Sequence, residues 1–215
     1  VNIESLILAV NNVGFAGFLL ITVIVSLSGV LAPGPVFTIT VAKGHEDKNA
    51  GALIAAGHGI IEIPLMILIY LGFSAYLTKD VVFRAIGVVG GALLVYMGID
   101  LIKIRGEIEY REKDVAYGAL LGGIIATGAN PYFILWWATV GLTLISRAAT
   151  YGFVGFVIFS IVHWLCDLIW DWFVSFSVYT SKRFWTKKVH SLVFGLCGVL
   201  LCWFGIGFII GGLKV

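Results

Sequence analysis

LAPGPVFTITVAKGHEDKNAGALIAAGHGIIEIPLMILIYLGFSAYL occupies residues 31–77 and decides how the chain is read. It opens on Pro33-Gly34-Pro35, crosses a short polar stretch at 43–49, and continues as an apolar run holding one histidine, His58, and one acid, Glu62. About 20 apolar residues at a rise of 1.5 Å each cross a hydrocarbon core of ~30 Å, so the run after the polar stretch reads as a transmembrane helix. A proline pair and an acid inside such material are costly there and call for a reason.

The rest of the chain extends the pattern. Of 215 residues, 60% are apolar and 12% charged, about half the roughly 25% charged fraction of a soluble domain. That composition excludes a soluble enzyme, a nucleic-acid binder and a disordered protein. A net charge of +2, spread along the chain, gives no footprint for nucleic acid. Cys166, Cys197 and Cys202 form no CxxC and read as small buried apolar residues.

Cutting at the charges leaves apolar segments near 15–42, 49–78, 83–102, 115–146, 150–178 and 189–213. The expectation is an all-α integral membrane protein of six transmembrane helices, lying in the lipid bilayer as a multi-pass protein of the cell membrane. The charged run KIRGEIEYREKD (103–114) is expected to be a solvated connector between a first half, 1–102, and a second half, 115–215, of three helices each. Three is odd, so related halves must lie inverted to one another, as in inverted-repeat transporters. The sequence begins with Val, so residues are expected to precede it; the first segment is too long for a signal peptide.

Basic residues set the orientation. Ten gather on one side: Lys43, Lys48, Lys103, Arg105, Arg111, Lys113, Lys182, Arg183, Lys187 and Lys188. Four, Lys79, Arg84, Arg147 and Lys214, fall on the other. Both termini are therefore expected outside and the 103–114 and 179–188 loops in the cytoplasm.

All four prolines, Pro33, Pro35, Pro64 and Pro131, lie inside apolar segments. Pro33-Gly34-Pro35 and Asn130-Pro131 are expected to break helices 1 and 4, which are corresponding members of the two halves. Interrupted helices in matching positions expose unwound carbonyls and half-helix N-termini, the usual makings of a solute site. Two ordinary proline kinks are the plainer alternative.

The intramembrane charges are Glu62, Asp167 and Asp171, all acids. His58-x3-Glu62 in helix 2 and His163-x3-Asp167 in helix 5 each place a histidine and an acid on one helix face, and Asp171 extends the second stripe. A charge at the centre of a span costs ~2.5–3.5 kcal/mol, while each Leu, Ile, Val or Phe returns about 0.3–0.6. Twelve such residues between Gly51 and Leu77 carry one acid; fifteen between Phe153 and Val178 must offset two. The helix 5 stripe therefore needs protein or water around it. Protons and cations would compete for these carboxylates, as a proton-coupled carrier requires. A static buried hydrogen bond, or a divalent metal held by His58, Glu62, His163 and Asp167, are the competing readings. No resident metal or other cofactor is expected, and His-Glu-x-x-His, the mark of a zinc protease, does not occur.

Several of Trp136, Trp137, Trp164, Trp170, Trp172, Trp185 and Trp203 fall near helix ends and are expected to anchor to headgroups, with a cation-accepting wall beside Asp167 as the alternative. Gly87-x3-Gly91, Gly118-x3-Gly122 and Gly207-x3-Gly211 permit close packing within the chain or in a homo-oligomer.

The PGP break, the short polar loop and the glycine-rich second helix with its acid resemble the lysine exporter (LysE/RhtB-type) family of amino-acid efflux transporters. ATGANPYFILWWATVGLTLI (126–145) is similar to that family's second signature, the Asn-Pro of helix 4. The resemblance covers essentially the whole chain. It implies six helices in two halves exporting amino acids or similar small solutes, driven by an ion gradient. Carried over by residue, Pro33, Gly34 and Pro35 match the first break, Glu62 the helix 2 acid, and Asn130 and Pro131 the second break. The chain departs from the pattern at Tyr132, where many relatives carry a basic residue, and at His163, Asp167 and Asp171. The Glu-x-Gly-Asp signature of one cation-exporting branch of the wider superfamily does not occur, nor do the cysteines that membrane thiol-relay proteins carry beside these prolines.

The expected function is secondary export in exchange for protons. The solute site is expected at Pro33, Gly34, Pro35, Asn130, Pro131, Glu62 and Asp167, and proton coupling at His58, Glu62, His163, Asp167 and Asp171. A divalent-metal exporter, a passive channel and a non-transporting scaffold are the alternatives.

Overall fold

The computed structural model describes residues 3–31, 34–74, 80–104, 112–184 and 186–214. All regular structure among them is helical. Pro33, Lys79, Arg105, Arg111 and Trp185, named above, lie outside the described residues.

A short helix that the segmentation did not anticipate, α1 (Ile3–Asn11), comes first; its Leu6 and Val10, one turn apart, are buried. α2 (Phe15–Val30) and α3 (Pro35–Gly44) then meet at 75°. Gly34 is extended (φ −141°, ψ −171°), and Pro35 takes the first helical position of α3, where its missing N–H costs nothing. α4 (Ala50–Tyr70) runs through Pro64 without a break. α5 (Asp80–Ala85) continues through a π-helical turn, Ile86–Gly90, into α6 (Gly91–Ile104). α7 (Glu112–Gly128) stops short of Asn130, which is extended (φ −100°, ψ 102°) and caps α8 (Pro131–Trp136) by accepting from the Tyr132 amide at 3.0 Å. A second π-helical turn, Trp137–Gly141, leads into α9 (Leu142–Ala149). α10 (Gly152–Ser181) and α11 (Lys187–Lys214) complete the chain. Gly152, at φ +75°, turns the chain from α9 into α10 in a conformation other residues rarely adopt.

Among the described residues four helices are long and apolar enough to cross a membrane: Ala50–Tyr70, Pro131–Ala149, Gly152–Phe184 and Lys187–Lys214. The bent pair α2 and α3 makes a fifth when counted as one. In the segment expected as the third span the apolar stretch is shorter, Ile86–Ile99. This is a multi-pass, all-helical membrane protein.

α4 is the central element, packed between α7 and α10, while α6 pairs with α11. Its two ends feed separate apolar clusters. Leu65, Met66 and Ile69 join Phe18, Trp137 and Phe159 at one end; Ala50 and Ile54 join Ile39, Phe194 and Leu201 at the other. Between the clusters lie His58 and Glu62, the latter about 18 Å along the axis from Ala50 and about 12 Å from Tyr70 at 1.5 Å per residue. Close approach is enforced by Gly51, where a β-carbon would strike the carbonyl of Asp171 on α10.

The polar ends sort as the charges do. The Lys43 ammonium approaches Gly118, and Ser175 Oγ donates to the Lys48 carbonyl at 2.9 Å, so the 43–48 stretch, the start of α7 and the end of α10 share one end. Arg147 donates to the Val13 carbonyl at 2.8 Å, and Gly212 packs on the carbonyl of Arg84, at the opposite ends of their helices.

Candidate functional site

The helix faces carrying the two His–acid pairs meet. His58 Nε2 lies 2.9 Å from Glu62 Oε1, one turn along α4, and His163 Nε2 reaches the same oxygen from α10 at 3.2 Å. An ionised carboxylate only accepts, so both imidazoles direct their Nε2 protons at Glu62 Oε1. Their Nδ1 atoms each meet a hydroxyl on a broken helix, accepting from it when the imidazole is neutral and donating to it when the imidazole is charged. Ser26 Oγ of α2 lies 2.6 Å from His163 Nδ1, and Thr127 Oγ1 of α7 lies 2.8 Å from His58 Nδ1.

These contacts cross between the halves of the chain. The first broken helix, through Ser26, holds the histidine of α10, and the second, through Thr127, holds the histidine of α4. Both hydroxyls precede their helix breaks by a few residues. Sequence reasoning missed them because serine and threonine in apolar helices commonly bond their own preceding turn, as Thr22 does to Phe18 and Thr38 to Gly34.

Asp167 lies one turn beyond His163 on α10, with Oδ2 3.8 Å from His163 Nε2, outside hydrogen-bonding range. Asp171, a further turn along, accepts from Thr40 Oγ1 of α3 at 3.1 Å. Glu62 is 1% exposed. Both Glu62 Oε2 and Asp167 Oδ2 are buried without a hydrogen-bond partner. In a well-satisfied interior such atoms are uncommon, and two carboxylate oxygens so placed mark where a proton, a cationic group or a donor hydrogen would be taken up.

Aromatic side chains enclose the cluster. His163 stacks on Trp136 and Phe159, with ring centroids 5.6 and 6.2 Å away, and meets the edge of Trp137 at 4.9 Å. Phe133 lies edge-on to His58 at 5.2 Å. Trp136 and Trp137 thus wall the polar cluster, the Trp137 ring lying over Gly141 within the π-helical turn at 137–141. Trp164 is also committed inside the protein, donating to the Ala55 carbonyl at 3.0 Å. Trp203 is largely exposed, as a lipid-facing residue would be.

The described residues of the breaks join the cluster through their neighbours. Pro35 and Pro131 are buried and Gly34 and Asn130 half-buried; Phe133 and Thr127 link the second break to His58, and Thr40 links α3 to Asp171.

A family model, LysE type translocator, matches residues 27–212. The chain belongs to that family. The match takes in both helix breaks, both histidines and the three acids, but neither Ser26 nor α1. The chain is 27% identical over 210 residues to a Bacillus subtilis (strain 168) protein described as "Putative amino acid efflux protein YcgF", covering 89% of this chain and 95% of that one. No solved structure matches. The translocator family places the cluster in a membrane transporter.

Proposed function

We propose that this LysE-type translocator exports amino acids or similar small solutes across the cytoplasmic membrane in exchange for protons. One observation carries the reading: a buried carboxylate, Glu62, is shared by a histidine of its own helix and a histidine of the other half of the chain. A proton placed on Glu62 Oε2 discharges the carboxylate and weakens the charge-assisted hydrogen bonds at Oε1 that tie α4 to α10, so its protonation state and the packing of the two helices are coupled. His58, His163, Asp167 and Asp171 extend the relay along the same faces.

The solute would sit beside the cluster at Pro33, Gly34, Pro35, Asn130 and Pro131. The amino termini of α3 and of the Pro131–Ala149 helix offer positive dipole ends to a carboxylate. The unpartnered oxygens of Glu62 and Asp167 offer acceptors to an ammonium group. The name of the Bacillus relative supports this substrate class.

Six spans in two inverted halves, with both termini outside, complete the proposal. The reciprocal Ser26–His163 and Thr127–His58 contacts support an inverted repeat, and the shared ends of the basic stretches support the orientation.

Counterflow in proteoliposomes preloaded in turn with basic, neutral and acidic amino acids tests the substrate class. The expected result is rapid exchange of one class. Exchange of none, in vesicles holding folded protein, overturns the assignment.

A further inference from the structure

The polar cluster has the donor set of a metal site, built from the same residues proposed above to couple export to protons, so a bound ion would compete with that use. His58, Glu62 and Asp167 each offer a ligand atom, and these atoms lie within 4.8 Å of one another. His163 lies outside that mutually close group but borders it, its Nε2 3.2 Å from Glu62 Oε1 and 3.8 Å from Asp167 Oδ2, within reach of a side-chain rotation. Four ligands at 2.0–2.1 Å around a tetrahedral ion stand about 3.3–3.4 Å apart. Three of the six separations, 2.9, 3.2 and 3.8 Å, bracket that edge length, and Asp167 lies within 4.8 Å of His58 and Glu62, so side-chain rotation about an entering ion would have to draw the four together.

Two further observations point the same way. Glu62 Oε2 and Asp167 Oδ2 are buried at the cluster without partners. The outer nitrogens of both imidazoles are already held, His163 Nδ1 by Ser26 Oγ and His58 Nδ1 by Thr127 Oγ1. A hydroxyl can donate or accept. With Nε2 on a metal, each Nδ1–H would donate to its hydroxyl, the outer-shell contact that orients metal-binding histidines. No atom outside this shell need move for that exchange of roles.

We infer that His58, Glu62, His163 and Asp167 form a binding site for a divalent d-block cation of the Zn2+ type, set between α4 and α10. Two imidazole nitrogens with two carboxylate oxygens favour such an ion over Mg2+ or Ca2+, which take all-oxygen shells. Cys166 stays outside, its thiol donating to the Val162 carbonyl at 3.3 Å, and Asp171 is engaged by Thr40.

Titration calorimetry with Zn2+ on the purified, untagged full chain in lipid nanodiscs, with Co2+ absorption spectra alongside, tests the inference. Expected are one ion per chain, the intense visible bands of four-coordinate Co2+, and no saturable binding of Mg2+. His58→Ala or His163→Ala should abolish binding, and Ser26→Ala should weaken it by about 10–100-fold. Absence of saturable Zn2+ binding by the wild type, weak six-coordinate Co2+ bands, or wild-type affinity in a folded His163→Ala chain overturns the site. Should the histidine variants fail to fold, the wild-type Co2+ spectrum decides alone. The readout needs neither solute nor pH gradient, so its outcome is independent of the proposed export.

Discussion

His163 Nε2 on α10 lies 3.2 Å from Glu62 Oε1 on α4, and this contact turns two separate His–acid pairs into one cluster. The cluster lies between two apolar cores, and each of its histidines is oriented by a hydroxyl from the opposite half of the chain.

That reciprocity has a measurable consequence. Ser26→Ala and Thr127→Ala each leave one imidazole nitrogen buried without its partner, at about 1–3 kcal/mol. Both should lower transport and displace its pH profile in the same direction, while Ser26→Thr and Thr127→Ser restore it. A pH profile unmoved in both alanine variants would mean that the hydroxyls only pack.

Close approach of α4 to α10 depends on the absence of a side chain at position 51. In Gly51→Ala the new β-carbon meets the Asp171 carbonyl, so the helices must separate, and overpacking of this kind costs about 1–3 kcal/mol. Thermal unfolding in detergent should show a clear loss for Gly51→Ala. It should show none for Gly207→Ala or Gly211→Ala, where nothing lies within 4 Å of the added carbon.

Arg147 fastens the N-terminal helix. It donates to the Val13 carbonyl and to the Tyr151 hydroxyl, both at 2.8 Å. In Arg147→Ala, hydrogen exchange across α1 and the 12–14 turn should rise about 10-fold or more, for a loss of about 1.5–3 kcal/mol in hydrogen bonds to a charged group. Protection equal to wild type would show that Leu6 and Val10 hold α1 without it.

Along α10, Asp167 and Asp171 are expected to divide the work. Asp167 has an unpartnered oxygen beside the histidines, whereas Asp171 is tied to Thr40. Asp167→Asn should therefore impair gradient-driven transport more than Asp171→Asn. Initial rates at several imposed pH differences make the comparison, and a larger effect at Asp171 would move the relay's centre toward α3.

The broken helices and the acid stripes were legible in the sequence because prolines and charges are scarce and costly in apolar helices. Two breaks and three acids therefore stand out from 215 residues. Which helices face one another was not legible. A stripe at i, i+4 defines a face but not its partner, so that the His58 and His163 faces meet at Glu62 depends on how α4 and α10 pack. Ser26, Thr127 and Thr40 were hidden among hydroxyls that serve only their own helix. That Trp136 and Trp137 are the tryptophans walling the cluster was not legible, since the Trp137 ring lies over a π-helical turn that leaves no mark in residue spacing. α1 escaped the segmentation because its nine residues are too few to cross the bilayer.

Glu62→Gln isolates the central claim, since it removes the ionisable group and keeps the shape. The decisive measurement compares uphill, pH-gradient-driven amino-acid accumulation with gradient-free counterflow in the same proteoliposomes, for wild type and Glu62→Gln. Glu62→Gln should lose accumulation while counterflow persists with weakened apparent solute affinity, because solute exchange needs no net proton movement but the amide is a poorer partner for an ammonium group. Accumulation at the wild-type level, with its pH dependence intact, would contradict a coupling role for the carboxylate the two histidines share.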